Sequence, residues 1–83
     1  MDEGYFVYVL RSLKDPSKIY VGYTTRLDER LDEHNDGSQV YTRRYAPWKR
    51  IAHIALTDRQ KALNLEKYLK SPSGKAFIAK HLS

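Results

Sequence analysis

Arg30 and His34 lie at the edge of the apolar stripe of a predicted helix, close to the side chains that should form the core. Counted at about 100° per residue, both positions border the stripe formed by Leu27 and Leu31. A guanidinium carries a planar fork of donors that can bond two oxygens of a phosphate at once. The pattern therefore predicts a helix that holds Arg30 against a phosphate group beside a small core.

Glu66 lies near the centre of the apolar face of a second predicted helix, among Ala62, Leu65 and Leu69. Burial of an unpaired charge is costly, so this carboxylate needs a partner. One interpretation is an internal salt bridge to Arg30 or to a lysine. The other interpretation is that Glu66 binds a hard divalent cation, because such cations prefer oxygen ligands.

Tyr8 and Tyr20 lie on two successive predicted strands, and both have even numbers. If opposite residues of the antiparallel pair sum to an even number, both side chains lie on one face of the sheet. A single tyrosine in a strand usually serves packing. Two tyrosines that face a helix with Arg30 and His34 favour a site that uses their hydroxyl groups.

Local patterns predict the elements that position these residues. Runs of aromatic and β-branched residues predict strands, and apolar residues at helical spacing predict helices. The predicted strands cover residues 5–10, 19–22 and 48–56, with a turn at 14–18. Three helices are predicted. The first is capped by Thr24 or Thr25 and ends near Asn35. The second covers 59–70 and is capped by Asp58, and the third covers 75–82 after a break at 71–74. Gly22 is expected to allow a tight turn between strand and helix.

The element order β-β-α-β-α-α predicts an α/β fold of the α+β type. In this fold, a three-stranded antiparallel sheet is flanked by helices. The 83 residues are expected to form a single domain, 1–83, with a modest core.

The charges are distributed unevenly along the chain, whose formal net charge is +5. From Thr42 onward there are ten lysines and arginines against two acids, Asp58 and Glu66. Such an asymmetry favours a polyanionic partner, most often a nucleic acid. The chain has no cysteine, which excludes disulfides and thiolate zinc sites. It also has no membrane-length apolar run and no basic leader at its N-terminus, so no membrane partner and a cytoplasmic location are expected.

Basic residues interleaved with aromatic ones extend this expectation to particular positions. Arg43 and Arg44 lie in a polar loop at 38–47 and are expected to contact nucleic-acid phosphates, together with Arg30 and Lys70. Two aromatic residues of the following strand are assigned to packing instead of to nucleic-acid contact. Trp48 is expected in the core, and His53 is expected to be a core histidine rather than a ligand.

The residues quoted above carry a family resemblance. The stretch Tyr20-Val21-Gly22, followed by Arg30 and His34 at the spacing Y-V-G-x-T-x-x-L-x-x-R-L-x-x-H-N, resembles the GIY-YIG nuclease domain. Val7-Tyr8 on the first strand and Glu66 on a later helix fit the same pattern. The resemblance covers about residues 5–82 and is closest to the small stand-alone bacterial GIY-YIG proteins. The nuclease modules of the excision-repair incision subunit and of homing endonucleases are less similar.

The resemblance implies divalent-metal-dependent hydrolysis of DNA phosphodiester bonds, with structured or branched DNA as the expected partner. By position, Glu66 would be the carboxylate ligand of Mg²⁺ or Mn²⁺. Tyr20 would deprotonate or orient the attacking water, and Tyr8 would hydrogen-bond that site and orient the nucleophile. Arg30 would stabilise charge on the phosphate, and His34 would support Tyr20 or assist proton transfer.

The sequence departs from the family pattern at three places. Phe6 replaces the glycine of the first motif, and Tyr23 stands where the incision-protein module has a lysine. The asparagine that many members place after the metal-binding glutamate is not evident. Two alternative functions therefore accompany the nuclease hypothesis. One is a nucleic-acid-binding module that cleaves little or not at all, and the other is a protein-interaction subunit in which Glu66 and Arg30 only pair with each other.

Overall fold

The computed structural model describes residues 4–83 and contains one three-stranded antiparallel sheet with helices on both faces. The elements follow one another in the predicted order. They are β1 (Tyr5–Ser12), β2 (Ile19–Thr24), α1 (Leu27–Asn35), a short 3₁₀ turn (Arg43–Tyr45), β3 (Trp48–Leu56), α2 (Arg59–Leu69) and α3 (Pro72–His81). The predicted α+β fold is therefore confirmed, while the expectation of a single domain over 1–83 stays a prediction.

Strand β1 lies in the middle of the sheet, so that the strand order is β2-β1-β3. It pairs with β2 through a hairpin whose turn the side chain of Ser12 stabilises. The Ser12 hydroxyl accepts hydrogen bonds from the backbone N–H groups of Lys14 (3.1 Å) and Asp15 (2.9 Å). A register shift between Val9 and Leu10 interrupts the pairing with β3. The central position buries β1 on both faces, which explains why its sequence is apolar almost throughout.

The two faces of the sheet carry two separate apolar clusters. Odd-numbered strand residues pack under α2 and α3, in a cluster made of Val7, Val9, Val21, Ala62, Leu69 and Ile78. Even-numbered residues pack under α1, in a cluster made of Phe6, Tyr8, Leu10, Leu27 and Trp48. Trp48 is buried as predicted. On β1 and β2 the alternation of side chains thus decides which of them can reach α1, whereas the register shift places the even-numbered Ala52 and Leu56 of β3 on the other face.

Helix α1 begins later than its predicted cap, so the assignment of Thr24 or Thr25 as the cap was wrong. Thr24 is the last residue of β2, and its hydroxyl accepts a hydrogen bond from the backbone N–H of Arg26 (2.9 Å) in the connecting turn. The helix ends at Asn35 as predicted. Gly37 follows it with a φ of 83°, a left-handed conformation that glycine adopts at low cost.

The connection from α2 to α3 is tighter than predicted. Asp58 caps α2 as expected, since its side chain accepts from the backbone N–H groups of Gln60 and Lys61. The predicted break at 71–74 was wrong, because α3 already begins at Pro72. Ser71 caps α3 by accepting from the N–H of Gly74 (3.2 Å), and proline is favoured at the first helical position, where no N–H is needed.

Of the helices in the described range 4–83, none has both the length and the apolar character that a bilayer-spanning helix needs.

Candidate active site

The β1–β2 pairing brings the two tyrosines of interest onto the face that α1 covers. Tyr8 lies opposite Gly22 and Leu10 lies opposite Tyr20, so opposite residues sum to an even number as the hypothesis required. The rings of Tyr8 and Tyr20 have centroids 6.2 Å apart. Tyr8 is buried, whereas Tyr20 is half-buried and reaches the surface.

Gly22 makes room for Tyr8, and the expectation that it allows a tight turn was wrong. The residue lies within β2, and a Cβ built on it would overlap the hydroxyl and the ring of Tyr8. Glycine is therefore needed at this position because the ring of the cross-strand neighbour lies directly over the backbone.

We expect Gly22→Ala to lower the free energy of unfolding by about 1–3 kcal/mol, the usual cost of overpacking a core. Urea denaturation measures this change. In a Tyr8→Ala background the overlap is absent, so the same substitution should cost much less there. Equal costs in the two backgrounds would show that the space occupied by Tyr8 is not the reason for the glycine.

His34 extends from α1 into this tyrosine pair and is 1% exposed. Its Nε2 lies 2.8 Å from the hydroxyl oxygen of Tyr8, and its Nδ1 lies 2.6 Å from the hydroxyl oxygen of Thr42. The ring of Tyr20 packs against the imidazole with centroids 5.0 Å apart but makes no hydrogen bond to it within the described residues. Of the two tyrosines, His34 thus hydrogen-bonds to Tyr8 and only packs against Tyr20.

The three groups form a buried chain of hydrogen bonds from Thr42 through His34 to Tyr8. A neutral imidazole has one N–H donor and one acceptor nitrogen, so the chain is satisfied in either of two directions. When Nε2 accepts, the Tyr8 hydroxyl donates into the ring; when Nε2 donates, the hydroxyl proton of Tyr8 is free for another partner. The network can therefore adjust the position of one proton at the Tyr8 hydroxyl.

The pKa of Tyr8 is raised well above its ordinary value of 10.0. Burial of the hydroxyl is the largest cause, and the neighbouring Tyr20 adds to it. The charge of Arg30 acts in the opposite direction, while the carboxylates of Glu66 and Glu33 raise the pKa further. Tyr8 therefore keeps its proton at neutral pH, and this property suits a hydrogen-bonding group better than a base.

The pKa of His34 is lowered below its ordinary value of 6.5, first because burial disfavours the imidazolium and then because Arg30 lies near it. Glu33 opposes this shift in part. His34 is consequently neutral at pH 7, so one of its ring nitrogens donates a hydrogen bond and the other accepts one.

This shift predicts a pH-dependent stability. In the unfolded chain His34 takes up its proton near pH 6.5, whereas in the folded chain it does so only at a lower pH. Between these two pH values the unfolded state therefore binds more protons than the folded state. The free energy of unfolding should therefore fall as the pH falls below about 6.5, by about 1.4 kcal/mol for each unit of pKa lowering. Urea denaturation of wild type and His34→Gln between about pH 7.5 and pH 5 measures the effect.

The His34→Gln variant should show a smaller loss of stability over this range. His53 is exposed, so His53→Gln should retain the wild-type pH dependence and serves as the matched control. An identical slope for wild type and His34→Gln would contradict the assignment.

Arg30 borders the same cluster from α1 and is partly exposed. Its Nε pairs with Glu33 Oε1 at 3.5 Å, which is the only salt bridge of Arg30 among residues 4–83. Arg30 lies one turn before His34 on the same helix, and its charge lowers the pKa of both Tyr8 and His34. Arg30 is thus positioned to bring a positive charge to an anion that binds beside the two rings.

Glu66 approaches from α2, on the opposite side of the sheet, and its charge still raises the pKa of Tyr8. It forms a salt bridge to Lys70, with 3.0 Å between Oε2 and Nζ, and its side chain is 23% exposed. The interpretation of a salt bridge from Glu66 to Arg30 or to a lysine is therefore confirmed for a lysine, Lys70, and wrong for Arg30, which pairs with Glu33. A pair with an exposed lysine leaves the carboxylate accessible from solvent.

The donor set around Glu66 fits a hard divalent cation that needs few protein ligands. Within the part of the chain that the structure describes, no three histidine, aspartate or glutamate side chains cluster as metal ligands. A zinc site with several protein ligands does not fit this arrangement. Mg²⁺ retains most of its waters and is bound by one or two carboxylates, so the single accessible carboxylate of Glu66 fits Mg²⁺ or Mn²⁺.

The other residues predicted to contact nucleic acid lie on the surface. Arg43 and Arg44 are exposed in the 3₁₀ turn, and no salt bridge involves either of them among residues 4–83. Lys70 is exposed at the end of α2, where it pairs with Glu66. The predicted core position of His53 was wrong: β3 is an edge strand, and His53 lies on the surface with its ring edge toward Phe6.

Two positions that depart from the family pattern serve packing. Phe6 is 8% exposed and belongs to the apolar cluster that contains Tyr8. Tyr23 stacks on Tyr5 with ring centroids 6.4 Å apart, on the other face of the sheet. Neither substitution removes a group from the cluster around His34.

Thr42 is the residue of this cluster that the sequence analysis missed. It is 1% exposed, its hydroxyl bonds to His34, and its carbonyl accepts the indole N–H of Trp48 (2.8 Å). A threonine in a loop that carries no periodic pattern gives no such signal. The predicted burial of Trp48, six residues further along the chain, was the one indication in the sequence that this loop folds back onto the core.

Residues 4–80 match the family model of the GIY-YIG catalytic domain. The chain belongs to the GIY-YIG family. The match covers nearly the whole chain and includes all five residues that the resemblance singled out. The family assignment that the sequence predicted is therefore confirmed.

Small bacterial proteins of this family resemble the chain over most of its length. A UPF0213 protein of Bacillus licheniformis is 38% identical over 73 residues, which make up 87% of this chain and 73% of that protein. The solution NMR structure of a UPF0213 protein of Bacillus halodurans superposes with a TM-score of 0.56 at 29% identity, covering 93% of this chain and 83% of that one. The chain spans 62% to 80% of the length of the first UPF0213 relatives that it matches.

One relative carries a name that states an activity. The structure-specific endonuclease subunit slx1 of Talaromyces marneffei is 40% identical over 68 residues, 75% of this chain but only 18% of that protein. The similarity is thus confined to one module of a much longer protein. Together with the family model of a catalytic domain, it supports a nuclease activity in general terms.

Proposed function

We propose that this GIY-YIG protein is a divalent-metal-dependent endonuclease that hydrolyses phosphodiester bonds in structured or branched DNA. The observation that carries the proposal is the buried cluster on the face under α1, where the Tyr8 hydroxyl is hydrogen-bonded to His34 and the ring of Tyr20 packs against the same imidazole. Arg30 lies one helical turn before His34 on α1 and would bring a positive charge for a phosphate. Glu66 on α2 has a partly exposed carboxylate that would bind a cation.

Tyr8 and Tyr20 would have different roles toward the attacking water. Tyr8 keeps its proton and is held by His34, so it orients the water or the phosphate by a hydrogen bond. Tyr20 is more exposed and carries no hydrogen bond to His34, which leaves its hydroxyl oxygen free to accept a hydrogen bond from the water and orient it. To deprotonate the water, Tyr20 would first have to lose its own proton to solvent and act as the phenolate. His34 and Thr42 fix the orientation of Tyr8 and allow its proton to shift along the buried chain.

Arg30 and Glu66 would supply the two charges that the reaction needs. The guanidinium binds a non-bridging oxygen and stabilises the negative charge that grows on the phosphate. Glu66 would hold Mg²⁺ or Mn²⁺ through its accessible carboxylate, while Lys70 remains beside the bound strand. When bound, the cation supplies neutralisation of phosphate charge and lowers the pKa of a coordinated water.

A nicking assay tests this proposal. Supercoiled plasmid and branched DNA are incubated with the protein in Mg²⁺, in Mn²⁺ and in EDTA, and products are separated on gels. Cleavage that requires the cation supports the proposal. Cleavage that is unchanged in EDTA, or no product from any substrate, would refute it.

A second candidate function is a DNA-binding module with little or no cleavage. Arg43 and Arg44, which are exposed and form no salt bridge among residues 4–83, and the carboxylate of Glu66 held by Lys70 favour it. It predicts DNA binding that weakens steeply with salt, does not respond to Mg²⁺ and yields no product. The same assay, read beside a binding titration, separates the two candidates.

A further inference from the structure

An open groove extends from the candidate active site and includes surface that the proposed chemistry does not use. It has a volume of about 790 Å³ and runs between the free edge of β2 and the helices α2 and α3. Tyr20, Tyr41, Lys70 and Lys75 are among the residues that line it. The groove thus begins at the tyrosine that the cleavage proposal assigns to the attacking water.

A second hollow of about 370 Å³ continues past the same residues. Lys18, Tyr20 and Tyr41 line both spaces, and Arg44 and Tyr45 line only the second. The two spaces therefore form one path over the surface, from α3 past Tyr41 to the 3₁₀ turn. We call this path the tyrosine groove.

The tyrosine groove is lined by positive charge. Its cations are Lys18, Arg44, Lys70 and Lys75, and among residues 4–83 no aspartate or glutamate side chain lines it, although the Lys70 ammonium is paired with Glu66. Lys18 and Arg44 each lie over the ring of Tyr45, at 5.4 and 5.5 Å from its centroid. A surface of this charge complements a polyanion whose phosphates can follow its length.

Tyr41 supplies a feature that charge alone does not explain. Its side chain is 82% exposed, and its ring meets Tyr20 with centroids 5.9 Å apart. One side of a large aromatic ring therefore faces the solvent in the middle of a cationic path. Nucleobases stack on such rings, but the faces of bases are available only where a strand is unpaired.

We propose that the tyrosine groove binds a single-stranded arm of DNA, with one base stacked on Tyr41 and phosphates at Lys70 and Lys75. The inference rests on the proposed function and specifies its substrate: DNA in which a single strand leaves a duplex. The strand passes Tyr20, so the arm and the candidate active site contact the same molecule.

Fluorescence anisotropy tests the groove without any cleavage, because the titration is done in EDTA. The probe is a labelled oligothymidylate of about 12 nucleotides, a length within the usual site range for single strands. Tyr41→Ala should weaken its binding about tenfold, the effect of losing one stacked base, and Tyr41→Trp should restore it. Lys75→Ala should reduce the slope of log K against log salt by about 0.7, the value of one lost phosphate contact.

Matched controls lie outside the tyrosine groove. Tyr68 is an exposed tyrosine on α2 and Lys80 an exposed lysine on α3, and neither lines the groove, so Tyr68→Ala and Lys80→Ala should bind like wild type. Equal weakening by Tyr41→Ala and Tyr68→Ala, or equally tight binding of a blunt duplex, would overturn the proposal. So would competition by polyglutamate at the same charge concentration as the oligonucleotide, since the groove would then recognise charge alone.

The proposed binding of a single strand in the groove and the proposed nuclease activity can be refuted independently of each other. Tyr41-dependent oligonucleotide binding without cleavage of any DNA would support the groove and refute the enzyme. Cleavage of intact duplex and of flap DNA at equal rates, unaffected by Tyr41→Ala, would support the enzyme and refute the groove.

Discussion

Glu66→Gln is expected to lower metal-dependent DNA cleavage by at least about 100-fold while the protein stays folded. Glutamine keeps the size of the side chain but removes the charge that, in the proposed mechanism, would hold a divalent cation, and the loss of such transition-state stabilisation costs several kcal/mol. Within the described part of the chain no cluster of metal ligands could take its place. Plasmid nicking in Mg²⁺ and in Mn²⁺ measures the effect.

The same variant should melt close to the wild-type temperature. The Glu66–Lys70 pair joins an exposed lysine to a partly exposed carboxylate, and pairs of this kind contribute about 0–1 kcal/mol. A buried ion pair that lost one partner would instead cost about 3–5 kcal/mol. Thermal melts therefore separate a role in chemistry from a role in folding.

Glu29→Gln is the matched control for Glu66. Glu29 is an exposed glutamate on α1 that pairs with Arg26, as Glu66 pairs with Lys70. It should leave cleavage unchanged. Full cleavage by Glu66→Gln, or an equal loss in both variants, would remove Glu66 from the proposed site.

Arg30→Ala should have the second large effect, a loss of about 10²–10³-fold in cleavage rate, which is typical for removal of one group that stabilises charge in the transition state. Arg30→Lys should restore only part of the activity, because lysine keeps the charge but lacks the planar fork. Single-turnover cleavage with excess enzyme measures the rate.

Arg30→Ala also has a readout that does not depend on activity. The guanidinium lowers the pKa of His34, so its removal should raise that pKa, which NMR titration of the imidazole measures directly. Arg26→Ala, an exposed arginine of the turn before α1, should change neither the rate nor the pKa. An unchanged His34 pKa in Arg30→Ala would show that the guanidinium does not face the cluster.

Periodic patterns in the sequence were sufficient to predict most of the fold. The alternation along β1 and β2 placed Tyr8 and Tyr20 on one face, and the observed register agrees. The helical period placed His34 beside the apolar stripe, where it is buried. These predictions succeeded because the direction of a side chain in a regular element depends only on local geometry.

Local patterns were less reliable at the ends of elements. Ser71 was assigned to a break, yet it caps α3, because the same serine and proline that interrupt one helix also favour the start of the next. Gly22 was assigned to a turn, yet it lies within β2 under the ring of Tyr8. A glycine indicates that space or freedom is needed but does not state which.

The partners of the polar side chains could be known only from the folded chain. The amino-acid order alone established which residues lie on the faces toward the site: Tyr8, Tyr20, Arg30 and His34. It did not establish that His34 bonds to Tyr8 and Thr42 or that Glu66 pairs with Lys70. Nor did it show that Tyr41 lies over Tyr20. The loop at 38–47 has no period, so its path depends on tertiary contacts such as the Trp48 indole bonded to the Thr42 carbonyl, and these form only when the core packs.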